Sequence, residues 1–171
     1  TPDQIEKIVN ENKKKYECFI ANDNSNGQQV VSGKLADIDL LMTDLKKNNI
    51  KSIKLPVSAP FHCKLMNNAT KIMENEIQKS DFKNPINALV SNVTNEEVKD
   101  SSLLKDLLVK QIESRVRWRE NVNLMIEKGT KKFIEIGPGK VLSGLIKRID
   151  KNVITNSINS EEDIKKININ D

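Results

Sequence analysis

The pattern of apolar and polar positions predicts both helices and strands in the first third of the chain. From Leu35 to Lys47 apolar residues recur every three or four positions, which predicts an amphipathic helix. Short runs rich in apolar residues, bounded by turn formers, predict strands. These patterns place a helix from Thr1 to about Lys15, strands over residues 16–21, 28–32 and 51–57, and a loop over residues 22–27.

The predicted order over residues 1–57 is helix, strand, strand, helix, strand. A ferredoxin-like unit has the same order preceded by one further strand. We therefore expect an incomplete ferredoxin-like subdomain whose first strand is missing. Its sheet would keep an open edge, which natural sheets avoid, so the pattern by itself predicts a truncated chain.

Helices alternate with strands over residues 58–171, which indicates an α/β subdomain with a parallel sheet. The predicted helices cover residues 65–78, 103–111, 118–127 and 140–149, with a last one from residue 160. Ser101 or Ser102 would cap the second of them. The predicted strands cover residues 86–90, which we expect to be buried, 132–136 and 153–154. A tight strand-to-helix turn is predicted at Gly137-Pro138-Gly139.

Composition limits the classes of function. The 171 residues are 37% hydrophobic and 30% charged with a net charge of +4, which suits one domain with a small subdomain. The weak positive excess could steer an acidic partner, whereas no basic stripe interleaved with aromatic residues indicates nucleic acid. No spacing suits a metal, no apolar run is long enough to cross a membrane, and two cysteines make no disulfide framework.

The only histidine, His62, lies in the most informative stretch of the chain. A predicted strand over residues 51–57 leads into Pro60, and a predicted helix follows the imidazole. Enzymes of the α/β class place catalytic side chains beyond the carboxyl ends of strands. A lone histidine is nevertheless more often structural, and only geometry decides between the two. Cys63 is not expected to be a nucleophile, because sequence neighbours rarely point at one another.

Four stretches in this order resemble motifs of the malonyl-CoA:acyl carrier protein transacylases. They are the stretches from Asn22 to Gly33, from Pro56 to Met66, from Gln111 to Trp118 and from Phe133 to Leu145. The second contains Pro56-Val57-Ser58-Ala59-Pro60-Phe61-His62, and the fourth contains Gly137-Pro138-Gly139. Because they span nearly the whole chain in one order, their combination is far more specific than any one of them.

The resemblance implies a role for several residues. His62 would be the general base, and the backbone carbonyl of Gln111 would orient its second ring nitrogen. Asn22 and Asn24 match asparagines beside the acyl-CoA pocket, although both are also ordinary turn residues. Phe61 would favour malonyl units, since its ring leaves no room for an α-methyl branch.

Three further residues have open interpretations. Asn92 follows a predicted strand and would either reach the site or serve as a turn residue. Arg115 and Arg117 precede Trp118, and one of them would contact CoA phosphates or they would pack against the protein.

Other family features are missing from the sequence. The family's nucleophile is a serine in a Gly-His-Ser-x-Gly elbow, and no Gly-x-Ser-x-Gly occurs here. The Gly-Gln-Gly-Ser-Gln block and the arginine that pairs with the malonyl carboxylate are also missing. The chain is therefore expected to be the C-terminal portion of such an enzyme, with the base but without the nucleophile.

The resemblance implies malonyl transfer from malonyl-CoA to acyl carrier protein by a Ser-His ping-pong mechanism in type II fatty acid biosynthesis, with no metal or redox cofactor. We expect the fragment alone to be inactive and the complete protein to be a monomer that binds neither nucleic acid nor membrane. The alternatives are a malonyl-selective acyltransferase domain of a polyketide synthase and a non-catalytic carrier-protein or ligand-binding domain. Frequent Asn, Lys and Ile suggest an A+T-rich genome, hence a bacterial cytoplasm or a plastid.

Overall fold

A computed structural model describes residues 2–166 as a chain of helices and short strands. The helices are α1 (Pro2–Glu11), α2 (Leu35–Lys47), α3 (Asn67–Lys79), α4 (Ser101–Gln111), α5 (Trp118–Glu127), α6 (Val141–Ile149) and α7 (Glu161–Lys166). A single 3₁₀ turn, Lys64–Met66, precedes α3. The strands are β1 (Cys18–Ser25), β2 (Gln28–Gly33), β3 (Leu89–Val90), β4 (Glu97–Val98), β5 (Lys132–Ile136) and β6 (Ile154–Ile158).

The strands form three two-stranded sheets within the described residues. β1 and β2 are an antiparallel hairpin, and β3 and β4 are a shorter antiparallel pair. β5 and β6 are parallel, with α6 as the crossover between them. The protein is thus of the α/β class, as predicted, although β3 and β4 depart from the parallel pairing expected for the second part.

Two apolar clusters hold these elements. The first packs α1 and α2 onto the β1–β2 hairpin around Val9, Tyr16, Cys18, Leu41 and Leu45. The second packs α5 and α6 around Val122, Ile146 and Val153, with Trp118 and Phe133 against it. Burial of such side chains is the main favourable contribution to folding, at about 1.5–3 kcal/mol for each large one.

β1 continues through residues 22–25, where the sequence predicted a loop. The strand has irregular register on either side of its centre, between Ile20 and Asn22 and between Asp23 and Ser25. A second partner accounts for the continuation: Val116 donates its N–H to the carbonyl of Ala21 at 2.8 Å and accepts the N–H of Asp23 at 2.9 Å. Local turn propensity is therefore overridden by hydrogen bonds to a distant segment.

Residues 51–57 are extended but do not form the predicted strand. Within residues 2–166 no strand ladder includes them, and a strand requires such a partner. Ile53, Leu55 and Val57 alternate along the segment and are 76%, 50% and 60% exposed. The alternation predicted from the sequence is present, but nothing among the described residues covers its apolar face.

Several predicted boundaries are also wrong. α1 ends at Glu11, and a turn rather than helix leads to Lys15, while Thr1 lies outside the described residues. Ile86 is fully exposed, and only Leu89–Val90 of the expected buried strand is paired, because β4 is only two residues long. Neither Ser101 nor Ser102 caps α4: the carboxylate of Asp100 accepts the N–H of Leu103 at 2.7 Å, as an N-cap residue does.

The C-terminal elements differ less from expectation. The final strand runs over Ile154–Ile158 rather than 153–154, and Val153 is buried in the second cluster. Among the described residues, no helix has the length and apolar character needed to cross a membrane.

Candidate active site

The backbone at His62 is left-handed, with φ of +59°, a region that few non-glycine residues adopt. Three contacts fix this turn. Ser32 of β2 donates its hydroxyl to the carbonyl of Phe61 at 2.7 Å. The Cys63 thiol donates to the carbonyl of Pro60 at 3.1 Å, and the N–H of Met66 donates to the carbonyl of Cys63 at 2.9 Å. These contacts fix the backbone on both sides of His62, through the hairpin before it and the 3₁₀ turn after it.

The imidazole of His62 is hydrogen-bonded as the resemblance implied. Its Nδ1 lies 3.0 Å from the backbone carbonyl oxygen of Gln111. Gln111 is the last residue of α4, so its carbonyl belongs to the helix end, where the last four carbonyls have no partner within the helix. Because a carbonyl oxygen can only accept, this contact favours the neutral tautomer with its proton on Nδ1, in which Nε2 has a lone pair that can accept a proton.

His62 faces a cavity of about 340 Å³. Five of the six predicted site residues line it, namely Asn22, Asn24, His62, Asn92 and Gln111, together with Val116, Trp118, Leu142 and Leu145. Side chains alternate between the faces of a strand, and in β1 the half-buried residues 22 and 24 alternate with the buried residues 23 and 25. The two asparagines are therefore presented to the cavity because they share one face of β1.

Asn92 is tied to the start of α5. Its side-chain oxygen accepts from the amide nitrogen of Asn121 at 2.8 Å, and its backbone carbonyl accepts the N–H of Arg117 at 3.1 Å. Asn121 is almost fully buried. Asn92 therefore joins the β3–β4 region to α5 as well as lining the cavity.

Phe61 is the predicted site residue that does not line this cavity. The residue is 47% exposed. Its carbonyl accepts from the Ser32 hydroxyl, as described above, and its N–H donates to the carbonyl of Ala59 at 3.0 Å.

A second cavity of about 570 Å³ also borders His62 and is lined by Cys18 and Cys63 among others. Burial raises the pKa of the Cys18 thiol to about 12, and burial likewise raises the pKa of the Cys63 thiol. Both thiols are thus kept protonated near neutrality, which agrees with the expectation that Cys63 is not a nucleophile. Among residues 2–166, no group of three or more His, Cys, Asp or Glu side chains is arranged to hold a metal ion.

A cluster of ion pairs that the sequence pattern did not predict includes Arg115, which lines the second cavity. The carboxylate of Asp23 is completely buried and accepts from Arg115 at 3.0 Å and from Arg119 at 2.7 Å. Arg115 also contacts Glu120 at 3.1 Å, and Arg117 contacts the same Glu120. Of the two roles left open for Arg115 and Arg117, these contacts favour packing within the protein.

The turn between β5 and α6 has the predicted form. Gly137 and Gly139 have φ of +138° and +94°, values that favour glycine. Glu135 then caps the helix, since its carboxylate accepts the N–H of Ser143 at 2.7 Å and that of Leu142 at 3.0 Å. The backbone hydrogen bond from Ser143 is the main reason that the pKa of Glu135 is lowered from its usual value.

Comparison with known proteins agrees with this geometry, although no protein-family model matches the chain. The malonyl CoA-acyl carrier protein transacylase of Bacillus subtilis (strain 168) is 37% identical over 147 residues, which are 85% of this chain and 46% of the relative. The crystal structure of an acyl-carrier-protein-S-malonyltransferase from Bartonella henselae superposes with a TM-score of 0.92 at 35% identity, over 97% of this chain and 53% of that one.

A third similar structure is that of a malonyl-transacylase in complex with a type II polyketide synthase acyl-carrier protein. It has a TM-score of 0.88 at 29% identity, over 96% of this chain and 53% of that chain. The chain spans about half the length of the curated relatives it matches. Over that shared length, the chain is a homologue of the malonyl CoA-acyl carrier protein transacylases, as its four sequence motifs predicted.

Proposed function

We propose that this chain supplies the general base of an enzyme that transfers a malonyl group from malonyl-CoA to the phosphopantetheine thiol of acyl carrier protein, in type II fatty acid biosynthesis. One observation carries the proposal: His62 Nδ1 lies 3.0 Å from the Gln111 carbonyl oxygen while the ring lines a cavity with Asn22 and Asn24. The named relatives support the choice of substrates.

His62 would act through its free Nε2. A serine hydroxyl, from the part of the relatives that this chain does not match, attacks the thioester carbonyl while Nε2 takes its proton. As the carbon–sulfur bond breaks, the imidazolium returns the proton to the CoA thiolate and a malonyl-serine ester remains. The thiol of acyl carrier protein then attacks the ester, with His62 as base, and the serine oxygen leaves and regains a proton. Such proton transfer typically contributes about 100- to 10,000-fold in rate.

Gln111 would orient the base. Its carbonyl fixes the Nδ1–H tautomer and stabilises the imidazolium that forms during each half-reaction, as a carboxylate does in serine hydrolases. A carbonyl is neutral, so its contribution is a directed dipole rather than a full charge.

The amide side chains of Asn22 and Asn24 would bind the acyl-CoA, and Asn92 would hold the cavity wall through its bond to Asn121. Phe61 would restrict the acyl pocket to unbranched malonyl, although discrimination of one methyl group is worth only about 1–3 kcal/mol.

We also propose the two-part architecture predicted from the sequence. Residues 1–57 would be the incomplete ferredoxin-like subdomain and residues 58–171 the C-terminal part of an α/β-hydrolase-like subdomain. The segment 51–57 supports this, because its unpaired backbone could join a further strand and its exposed row of apolar residues could pack against a further layer. The complete protein would be a monomer in a bacterial cytoplasm or a plastid and would use no metal or redox cofactor.

Acyl carrier protein as a partner rests on the complex known for the third similar structure. The basic residues on and beside α6, Lys140, Lys147 and Arg148, offer charge that suits an acidic carrier.

The test is a chimera in which this chain replaces the matching half of the Bacillus subtilis relative. We expect it to transfer malonyl groups from malonyl-CoA to holo acyl carrier protein, and the 171-residue chain alone to be inactive. His62→Ala should reduce transfer by about 100- to 10,000-fold, since the proton acceptor is removed. Lys71→Ala, an exposed change in α3, is the matched control. Activity of the His62→Ala chimera within tenfold of its parent refutes the proposal.

A further inference from the structure

Asp23 is a buried charge in β1, next in sequence to two residues that line the 340 Å³ cavity. The neighbouring β1 residues Asn22 and Asn24 line the cavity, whereas the Asp23 carboxylate is fully buried. It accepts four hydrogen bonds of 2.7–3.1 Å from the guanidinium groups of Arg115 and Arg119. Burying a carboxylate is very unfavourable unless it is paired in this way, so the three side chains form one unit, here called the Asp23 cluster.

The Asp23 cluster ties β1 to the segment that follows the Gln111 carbonyl. Arg115 and Arg119 contact the carboxylate, and Val116 between them exchanges backbone hydrogen bonds with β1. At the start of the segment the Gln111 side chain donates a hydrogen bond to the carbonyl of Ser114 at 3.2 Å, which forms a local turn. Only residues 112–114 separate the Gln111 carbonyl from the segment 115–119 that contacts β1.

The charges around the cluster are already balanced. Arg115 also contacts Glu120 at 3.1 Å and Glu6 at 3.6 Å, and Arg117 contacts Glu120. Three guanidinium groups thus face three carboxylates. Each of the three guanidinium groups already contacts a carboxylate, so the arrangement suits a structural clamp better than a phosphate site.

We infer that Asp23 is a positioning residue, which through Arg115 and Arg119 holds the Gln111 carbonyl against His62 and so sets the tautomer of the base. The inference rests on the proposed function of His62. Without the clamp, the segment after α4 is free to shift, the bond to Nδ1 weakens, and the neutral imidazole moves toward the Nε2–H form. That form presents a proton, not a lone pair, to a nucleophile.

The sole histidine makes the tautomer directly measurable. Long-range ¹H–¹⁵N NMR on the 171-residue chain, at a pH where His62 is neutral, gives the ratio of the Nδ1–H to the Nε2–H form. We expect Asp23→Asn to lower this ratio at least threefold. Asp44→Asn is the matched control. Asp44 is also a mostly buried carboxylate, and it is paired with Lys15 and Lys47. It should lower the melting temperature and leave the ratio unchanged.

Arg115→Lys provides a second variant should Asp23→Asn not fold. It keeps the charge but cannot reproduce the planar guanidinium contacts, and it should lower the ratio in a folded chain. A folded Asp23→Asn or Arg115→Lys variant with the parental ratio overturns the inference. The result is independent of the chimera assay: failure of the proposed function shows in His62→Ala activity, and failure of the clamp shows in the tautomer ratio.

Discussion

The left-handed backbone of His62 should lower the stability of the protein by an amount that two substitutions can isolate. His62→Ala and His62→Gly both remove the imidazole and its bond to Gln111. The two variants therefore differ mainly in how well each residue tolerates φ of +59°. Glycine adopts this region readily, whereas any side chain with a Cβ is strained there.

The expected difference follows from two opposing contributions. The left-handed conformation costs an L-residue about 1–2 kcal/mol. Glycine in turn loses more chain entropy on folding, which costs about 0.5–1 kcal/mol. The net preference for His62→Gly over His62→Ala is about 0.5–1 kcal/mol, or roughly 1–4 °C in melting temperature for a chain of this size.

Thermal and urea unfolding of the two variants measures this difference. The control pair is Lys71→Ala and Lys71→Gly, at an exposed position inside α3 where the backbone is helical. There the order should reverse, with alanine about 1 kcal/mol more stable than glycine. If His62→Ala proves as stable as His62→Gly while the Lys71 pair behaves as expected, the argument from backbone strain is wrong.

Two further predictions concern the elements around the site. A Cβ on Gly33 would lie 2.9 Å from the carbonyl oxygen of Glu17, so Gly33→Ala should destabilise the protein by about 1–3 kcal/mol. A Cβ on Gly144 in α6 would meet nothing within 4 Å, so Gly144→Ala should stabilise the protein by about 1 kcal/mol. Melting temperatures that shift in the same direction for both would contradict this. The pKa of Glu135 is lowered in the folded state by its helix-capping bonds, so its contribution is present above its ordinary pKa of 4.5 and disappears as pH falls through the lower folded value. The melting temperature of the parent should therefore exceed that of Glu135→Gln most at pH 7 and least near pH 3, and an equal gap at both pH values would refute the role of the carboxylate.

Elements with a complete local signal were predictable from the sequence. Helices α2 and α5 and strand β5 begin and end at the predicted residues, because their apolar period, or their bounding turn formers, are contained within the element. The contact between His62 and Gln111 needed the family resemblance, since 49 residues separate the two and no local pattern joins them.

The Asp23 cluster could not be predicted in the same way. Asp23 lies in a run of Asn, Asp, Ser and Gly, whose individual propensities favour a turn. Its partners Arg115 and Arg119 lie 92 and 96 positions away, so only the folded chain shows that they neutralise it. The prediction of a strand over residues 51–57 failed for the opposite reason: its local pattern is correct, but its partner is not among the described residues.

The uncovered segment 51–57 has a consequence for handling this polypeptide in isolation. The extended stretch up to Leu55 has backbone groups outside any strand ladder, and with the exposed Ile53 and Leu55 it is a template for pairing with another copy of itself. Lys51 and Lys54 lie on either side of Ile53 in sequence and oppose aggregation through their charge, although Lys54 is partly neutralised by its contact with Asp39 at 2.7 Å. Dilute, low-salt solutions, in which the like charges of neighbouring copies repel most strongly, should keep the chain dispersed.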